Sequence, residues 1–172
     1  MYGVAHVGFR LPMRPIMPAR EYDVPSLAEL NNRFVEQGLT LPRSEAFVQS
    51  HIDDYRVIRD DDGRIVGCVC IDDYSPSLAE LVSLAVDPAH QGKGLGKALI
   101  AAAVELARKR DYPELFAVSF SDQLFLMCGF ERVAVERYPE KKHRYDRVSD
   151  DEWTVGQKHC FAMKLQETSH HA

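Results

Sequence analysis

The sequence predicts a single α/β domain on a mixed central sheet of about six to seven strands with about four helices. Three observations predict it. A chain of 172 residues can bury a core of its own but is short for two ordinary domains. Runs of alternating, β-rich residues are interleaved with stretches whose apolar residues recur at helical spacing. No internal repeat, linker or low-complexity block divides the chain. The predicted order is strand, helix, helix, strand, strand, strand, helix, strand, helix, strand, strand. It occupies residues 13–167, with 1–12 and 168–172 read as flexible ends.

Each element has its own signal. A short extended piece covers Met13 to Arg20. Asp23 is placed to cap a helix that takes Pro25 in its first turn, buries Leu27, Leu30 and Phe34, and stops at Gly38. Ser44 caps a shorter helix reaching about Ile52, with Phe47, Val48, His51 and Ile52 on one side. Tyr55 to Arg59 and Arg64 to Ile71 form a hairpin around Asp60-Asp61-Asp62-Gly63, because Asp and Gly accept the backbone angles such turns need. Leu78 to Val86 is the next strand. Leu95, Leu99, Ala102 and Leu106 mark a helix from Gly94 to Arg110, its basic end matched to the helix dipole. Leu115 to Phe120 reads as a strand, Asp122 to Cys128 as a short helix closed by Gly129, and Arg132 to Val135 and His159 to Leu165 as the last strands. The polar stretch of about 136–158 has no clear period.

Composition narrows the function classes. The formal net charge of −5 disfavours a nucleic-acid binder relying on a broad basic surface, since such affinity comes largely from neutralising phosphates. Cys68, Cys70, Cys128 and Cys160 form no Cys-x-x-Cys pair, so reduced thiols and no metal centre are expected. Apolar stretches fall short of the ~20 residues that span a bilayer, and Arg10, Pro12, Arg14 and Pro15 interrupt any leader-like run. The expectation is a cytoplasmic protein without a membrane partner.

The segment from Val86 to Ala98 joins a strand to a helix through Gly92, Gly94 and Gly96. Glycines at alternate positions let backbone N–H groups converge and a phosphate approach, and the helix start adds partial positive charge. An anion is the expected guest. Gly96-Lys97 is followed by Ala98 rather than Ser or Thr, and no Gly-x-Gly-x-x-Gly register fits, so nucleotide hydrolysis and dinucleotide binding lose support.

Gln91, Gly94 and Gly96, after the strand ending Leu84-Ala85-Val86-Asp87-Pro88, resemble the Gln/Arg-x-x-Gly-x-Gly/Ala signature of the GCN5-related N-acetyltransferase (GNAT) superfamily. The element order and Gly129-Phe130 after the late helix are similar too. The resemblance implies acetyl-coenzyme A as co-substrate, its pyrophosphate on Gln91, Gly92, Lys93, Gly94, Leu95, Gly96 and Lys97. It also implies a strand that splays from its neighbour and takes pantetheine along Leu84, Ala85 and Val86. A homodimer is compatible with it, since late strands of that superfamily often pair across subunits. Within the superfamily, Leu41-Pro42-Arg43-Ser44, Val66-Gly67-Cys68 and the run from Leu78 to Pro88 resemble short bacterial N-acetylglutamate synthases. The Cys-x-x-Cys-Pro type region near the C-terminus of many such synthases is absent, leaving a loose Pro139-Glu140-Lys141-Lys142 correspondence.

Acetyl transfer needs a neutral amine, an oxyanion site and a leaving thiolate. Glu80 is the candidate base, because strand alternation would put it on the face of Val82, Leu84 and Val86; a salt-bridged strand carboxylate is the alternative. Backbone N–H groups near Leu84 to Val86 would meet the oxyanion. Phe125 stands where many superfamily members carry a tyrosine acid, and a thiol of pKa ~8.5 can leave without one. Ser119 and Ser121 are candidates to bond the cofactor or to cap the late helix. Glutamate as acceptor calls for cations, with Arg43 first and Lys141 and Lys142 next. Another small amine, a protein amine, or a non-catalytic acyl-coenzyme A sensor are the competing readings.

Overall fold

The computed structural model describes residues 14–141 and 158–166. The ends expected to be flexible, together with Lys142, lie outside the described residues. The elements are β1 (Ile16–Pro18), α1 (Val24–Asn32), α2 (Glu45–Ser50), β2 (Tyr55–Arg59), β3 (Ile65–Ser75), β4 (Leu78–Val86), α3 (Leu95–Lys109), β5 (Glu114–Ser119), α4 (Asp122–Met127), β6 (Glu131–Val133) and β7 (His159–Lys164). This is the expected order. Their sheet runs β1-β2-β3-β4-β5-β7-β6. All pairings are antiparallel except β4 with β5.

Apolar residues on both faces of the sheet explain why helices cover both. On one side α3 seats Leu99, Ile100 and Ala103 against Ile58, Val69, Ile71 and Leu81. On the other, Leu27, Leu30 and Val48 from α1 and α2 pack on Val57, Cys68, Cys70 and Val82. A third cluster forms around Phe116, Tyr138 and Cys160, where the rings of Phe116 and Tyr138 stack at 4.2 Å. Each fully buried Leu, Ile or Phe contributes roughly 1.5–3 kcal/mol from area removed from water. Gly67 in β3 sits in close packing: a Cβ there would stand 3.0 Å from Leu99 Cδ1, tighter than an ordinary contact.

Three local expectations need correction. First, α1 ends at Asn32 rather than Gly38. Residues 33–38 tighten into turns, with Phe34 N–H donating to Asn31 O and Gly38, at φ +68°, closing the segment. Second, Asp23 occupies the N-cap position of α1 without capping it. Its carboxylate instead accepts from Arg20 N and pairs with Arg59 at 2.6 Å, joining the α1 entrance to β2. Third, β3 runs on to Ser75, four residues past the predicted end at Ile71, because Asp72 and Asp73 pair across to Glu80 and Ala79. Ser44 caps α2 as expected, accepting from Phe47 N at 3.1 Å.

Candidate active site

β4 and β5 pair at only three positions, Leu78 with Glu114, Ala79 with Leu115 and Glu80 with Phe116. Beyond Glu80 they part, and a cleft of about 620 Å³ opens between them. Its walls come from β4, the glycine turn and start of α3, the end of β5 with α4, and the loop after α1.

The glycine turn forms one end. Gly92 and Gly94 sit at φ +77° and +81°, which L side chains rarely adopt, and Gly94 is the N-cap of the 15-residue α3. A Cβ on Gly96 would stand 3.4 Å from Leu124 Cδ2, so α4 packs close to the start of α3. Gln91 donates to Val86 O at 3.1 Å, fastening the turn to the end of β4. Asp87 accepts from Arg33 at 2.8 Å and from Ala89 N at 2.9 Å. The Arg33 guanidinium, then the Ala89 amide, hold the Asp87 carboxyl below its usual value. A chain of polar contacts thus runs from the end of α1 to the turn.

β4 carries a bulge beside the cleft. Cys68 faces Ala85 and Cys70 faces Val82, so Ser83 and Leu84 together oppose Val69. Ser83 takes φ +54°, a left-handed conformation costing about 1–2 kcal/mol for a residue with a Cβ. The extra residue reverses the alternation. Val82 and Ala85 both pack on the α1 side, whereas Leu84 and Val86 pack on the α3 side. Glu80 therefore shares its face with Val82 but not with Leu84 and Val86, contrary to the straight-strand reading.

The other end of the cleft is polar. Glu80, 2% exposed, accepts from Tyr74 Oη at 2.5 Å and pairs with Lys141. Lys141 itself is 5% exposed, on a helical turn beginning at residue 139, with its ammonium over the Phe116 ring. Lys158, just before β7, lines the same cleft and lies 5.4 Å from the Phe120 ring centroid. Burial, then the neighbouring Lys141 ammonium, lowers the pKa of Lys158 below the usual lysine value. From the facing wall comes Arg43, whose guanidinium lies 4.2 Å from the Phe47 ring centroid. Its loop is tied to α1 by Asn31 Nδ2 donating to Leu41 O, Thr40 Oγ1 to Asn31 O, and a reciprocal pair between Asn32 and the Arg43 backbone, all at 2.7–2.9 Å.

Most residues singled out from the sequence meet in this cleft. Glu80, Leu84, Ala85, Val86, Gln91, Gly92, Gly94, Leu95, Gly96, Lys97, Ser119, Ser121, Arg43 and Lys141 all line it. Lys93 stands exposed outside the lining. Ser119 Oγ accepts from Ser121 N at 3.0 Å, and Ser121, at the N-cap position of α4, makes no side-chain cap. Tyr112 bonds Asp73 at 2.9 Å and Tyr138 bonds Glu114 at 3.1 Å, away from the lining. His51 stacks on Phe47 and approaches Asp72 at 3.4 Å, while His90 lines the cleft beside Asp87. Sequence reasoning missed Tyr74, Lys158 and the exposed ring of Phe120. Among the described residues no group of three or more His, Cys, Asp and Glu could hold a metal ion, and no helix is long and apolar enough to cross a membrane.

Residues 24–130 match the Acetyltransferase (GNAT) family. An amino-acid acetyltransferase of Neisseria meningitidis is 30% identical over 131 residues, which cover 75% of this chain and 30% of that protein. This chain therefore spans about a third of that relative's length. An amino-acid acetyltransferase of Mycobacterium tuberculosis is 27% identical over 77% of this chain and 80% of its own length. The crystal structure of N-acetylglutamate synthase from Neisseria gonorrhoeae, complexed with coenzyme A and N-acetylglutamate, superposes with a TM-score of 0.76 at 28% identity, covering 89% of this chain and 35% of that one.

Proposed function

Because the chain belongs to the Acetyltransferase (GNAT) family, we propose that it transfers the acetyl group of acetyl-coenzyme A to the α-amino group of a small acidic amino acid, L-glutamate first. The observation that carries this reading is the parting of β4 from β5 above a glycine turn at a helix start, with three cationic side chains at the opposite end of the same cleft. The turn and the N-terminus of α3 suit the pyrophosphate, and the freed edge of β4 suits the amide-bearing pantetheine arm. Arg43, Lys141 and Lys158 suit an acceptor carrying carboxylates. The amino-acid acetyltransferase relatives favour an amino acid as acceptor, and the N-acetylglutamate synthase neighbour favours glutamate.

In the proposed reaction the neutral amine attacks the thioester carbonyl carbon, and the carbonyl oxygen becomes an oxyanion facing the Leu84 N–H. Glu80, directly or through water, takes the proton from the attacking nitrogen. Its two oxygens offer about four acceptor positions, so contacts from Tyr74 and Lys141 leave room for one more. The tetrahedral intermediate then collapses, the carbon–sulfur bond breaks, and the coenzyme A thiolate takes up a proton. The products are the N-acetylamino acid and free coenzyme A.

A purified sample given acetyl-coenzyme A and a panel of amino acids, other small amines and peptides, with thiol release recorded, tests the reading. Release that depends on glutamate is the expected result. Release with a different amine alone removes glutamate. Coenzyme A binding without release for any amine removes the enzymatic reading in favour of an acyl-coenzyme A sensor.

A further inference from the structure

Ser83 holds its left-handed backbone under two restraints from neighbouring strands. Tyr55 of β2, fully buried, donates its Oη proton to Ser83 Oγ at 3.3 Å. Cys68 of β3, also fully buried, donates its thiol proton to Ser83 O at 3.3 Å. The second contact fixes a peptide plane. In a trans peptide the C=O and the next N–H point in opposite directions, so a Ser83 carbonyl turned inward to Cys68 turns the Leu84 N–H outward. Cys68 lies in the β3 strand on the side away from β5, and Leu84 lines the cleft where β4 has left β5. Burial keeps the Cys68 thiol protonated, its pKa pushed up to about 12, so it stays a donor.

We propose that Tyr55 and Cys68 are positioning residues: together they clamp the Ser83–Leu84 peptide so that the Leu84 N–H is aimed at the thioester oxygen. Neither side chain lines the cleft, and neither touches the reacting atoms. Tyr55 fixes the side chain of the strained residue and Cys68 fixes its carbonyl, so the donor does not have to be reoriented as the oxyanion forms. The inference rests on the cleft holding acetyl-coenzyme A as proposed above.

The test compares Y55F, C68A and Y55F/S83G with the unaltered protein. Glycine adopts φ near +54° without support, so S83G should replace what the phenol supplies. Expected are a kcat about tenfold lower in Y55F and C68A, a fraction of the ~10²-fold loss seen when an oxyanion donor is removed outright. Calorimetric affinity for coenzyme A should stay within about twofold in both, and kcat should recover in Y55F/S83G. A second readout is independent of turnover. The Leu84 amide resonance, assigned by ¹⁵N labelling, should take a different position in the acetyl-coenzyme A complex of the unaltered protein from the one it takes in the coenzyme A complex. A Leu84 amide indifferent to the acetyl group overturns the proposal. So does unchanged kcat in both single variants, or a loss that tracks coenzyme A affinity and is not restored by S83G. If acetyl-coenzyme A shifts the Leu84 amide in the unaltered protein, and shifts it less in Y55F and C68A, while no amine is acetylated, the clamp stands and the transferase reading fails.

Discussion

Lys158 is a half-buried ammonium beside a second one, and among the described residues no salt bridge engages it. Bringing an acceptor carboxylate to it removes an unfavourable state as well as forming a contact. In K158M the KM for an acidic acceptor should rise about tenfold or more, the worth of one charge-assisted contact, while the KM for acetyl-coenzyme A stays put. Initial-rate kinetics with both substrates varied check this, and equal changes in both constants would speak against an acceptor role. For Glu80 the expected signature differs. E80Q keeps shape and Tyr74 contact but loses the base, so kcat should fall about 10²-fold with coenzyme A affinity retained; an unchanged kcat would leave Glu80 as a purely structural partner of Lys141. Glu80 and Arg43 were legible as candidates because strand position and a local resemblance mark them. The company Glu80 keeps was not legible. Lys141 lies 61 residues away in sequence, with its ammonium over the Phe116 ring of the third cluster.

Among elements, local signals placed nearly every helix and strand, and errors arose where distant contacts reset a local pattern. The straight alternation of β4 from Leu78 to Val86 reads as unbroken, and nothing between Val82 and Ala85 announces a bulge. At the bulge Tyr55 and Cys68, from two other strands, engage Ser83. Likewise, where α1 ends early, Asn31 and Asn32 turn their amides to the loop after it. The glycine turn is the opposite case, since its backbone demand is written in its own residues. G94A, at φ +81° with open space around the new methyl, should weaken coenzyme A binding about fivefold, or ~1 kcal/mol, through backbone strain rather than a clash. Calorimetric titration measures it. G67A is a clash instead: its methyl would press on the buried Leu99, costing about 1–3 kcal/mol of stability by urea unfolding with little effect on coenzyme A affinity.

Over the whole molecule, buried thiols give stability a pH dependence on the alkaline side. Burial raises Cys68 and Cys160 from 9.0 to about 12, and Cys70 moves in the same direction. Between pH 9 and 12 the unfolded chain has released protons that the folded chain still holds, so stability is complete below pH 9 and declines as pH rises through that window. Each such thiol adds a slope of up to about 1.4 kcal/mol per pH unit. Urea unfolding at pH 8 and pH 10.5 should show the loss, and a C160A variant should lose less between the two; a flat profile would contradict the burial of these groups.

The three rungs joining β4 to β5 also make the sheet a mechanical object. β1 to β4 form one plate and β5, β7 and β6 another, and the backbone ladder between them runs only through Leu78, Ala79 and Glu80, above the core they share under α3. A strand-like guest lying in the parted stretch would act as a keystone, carrying load from plate to plate where the protein's own ladder stops. Stiffness would then depend on occupancy: an empty molecule flexes about its short seam, and a loaded one resists as a single continuous sheet.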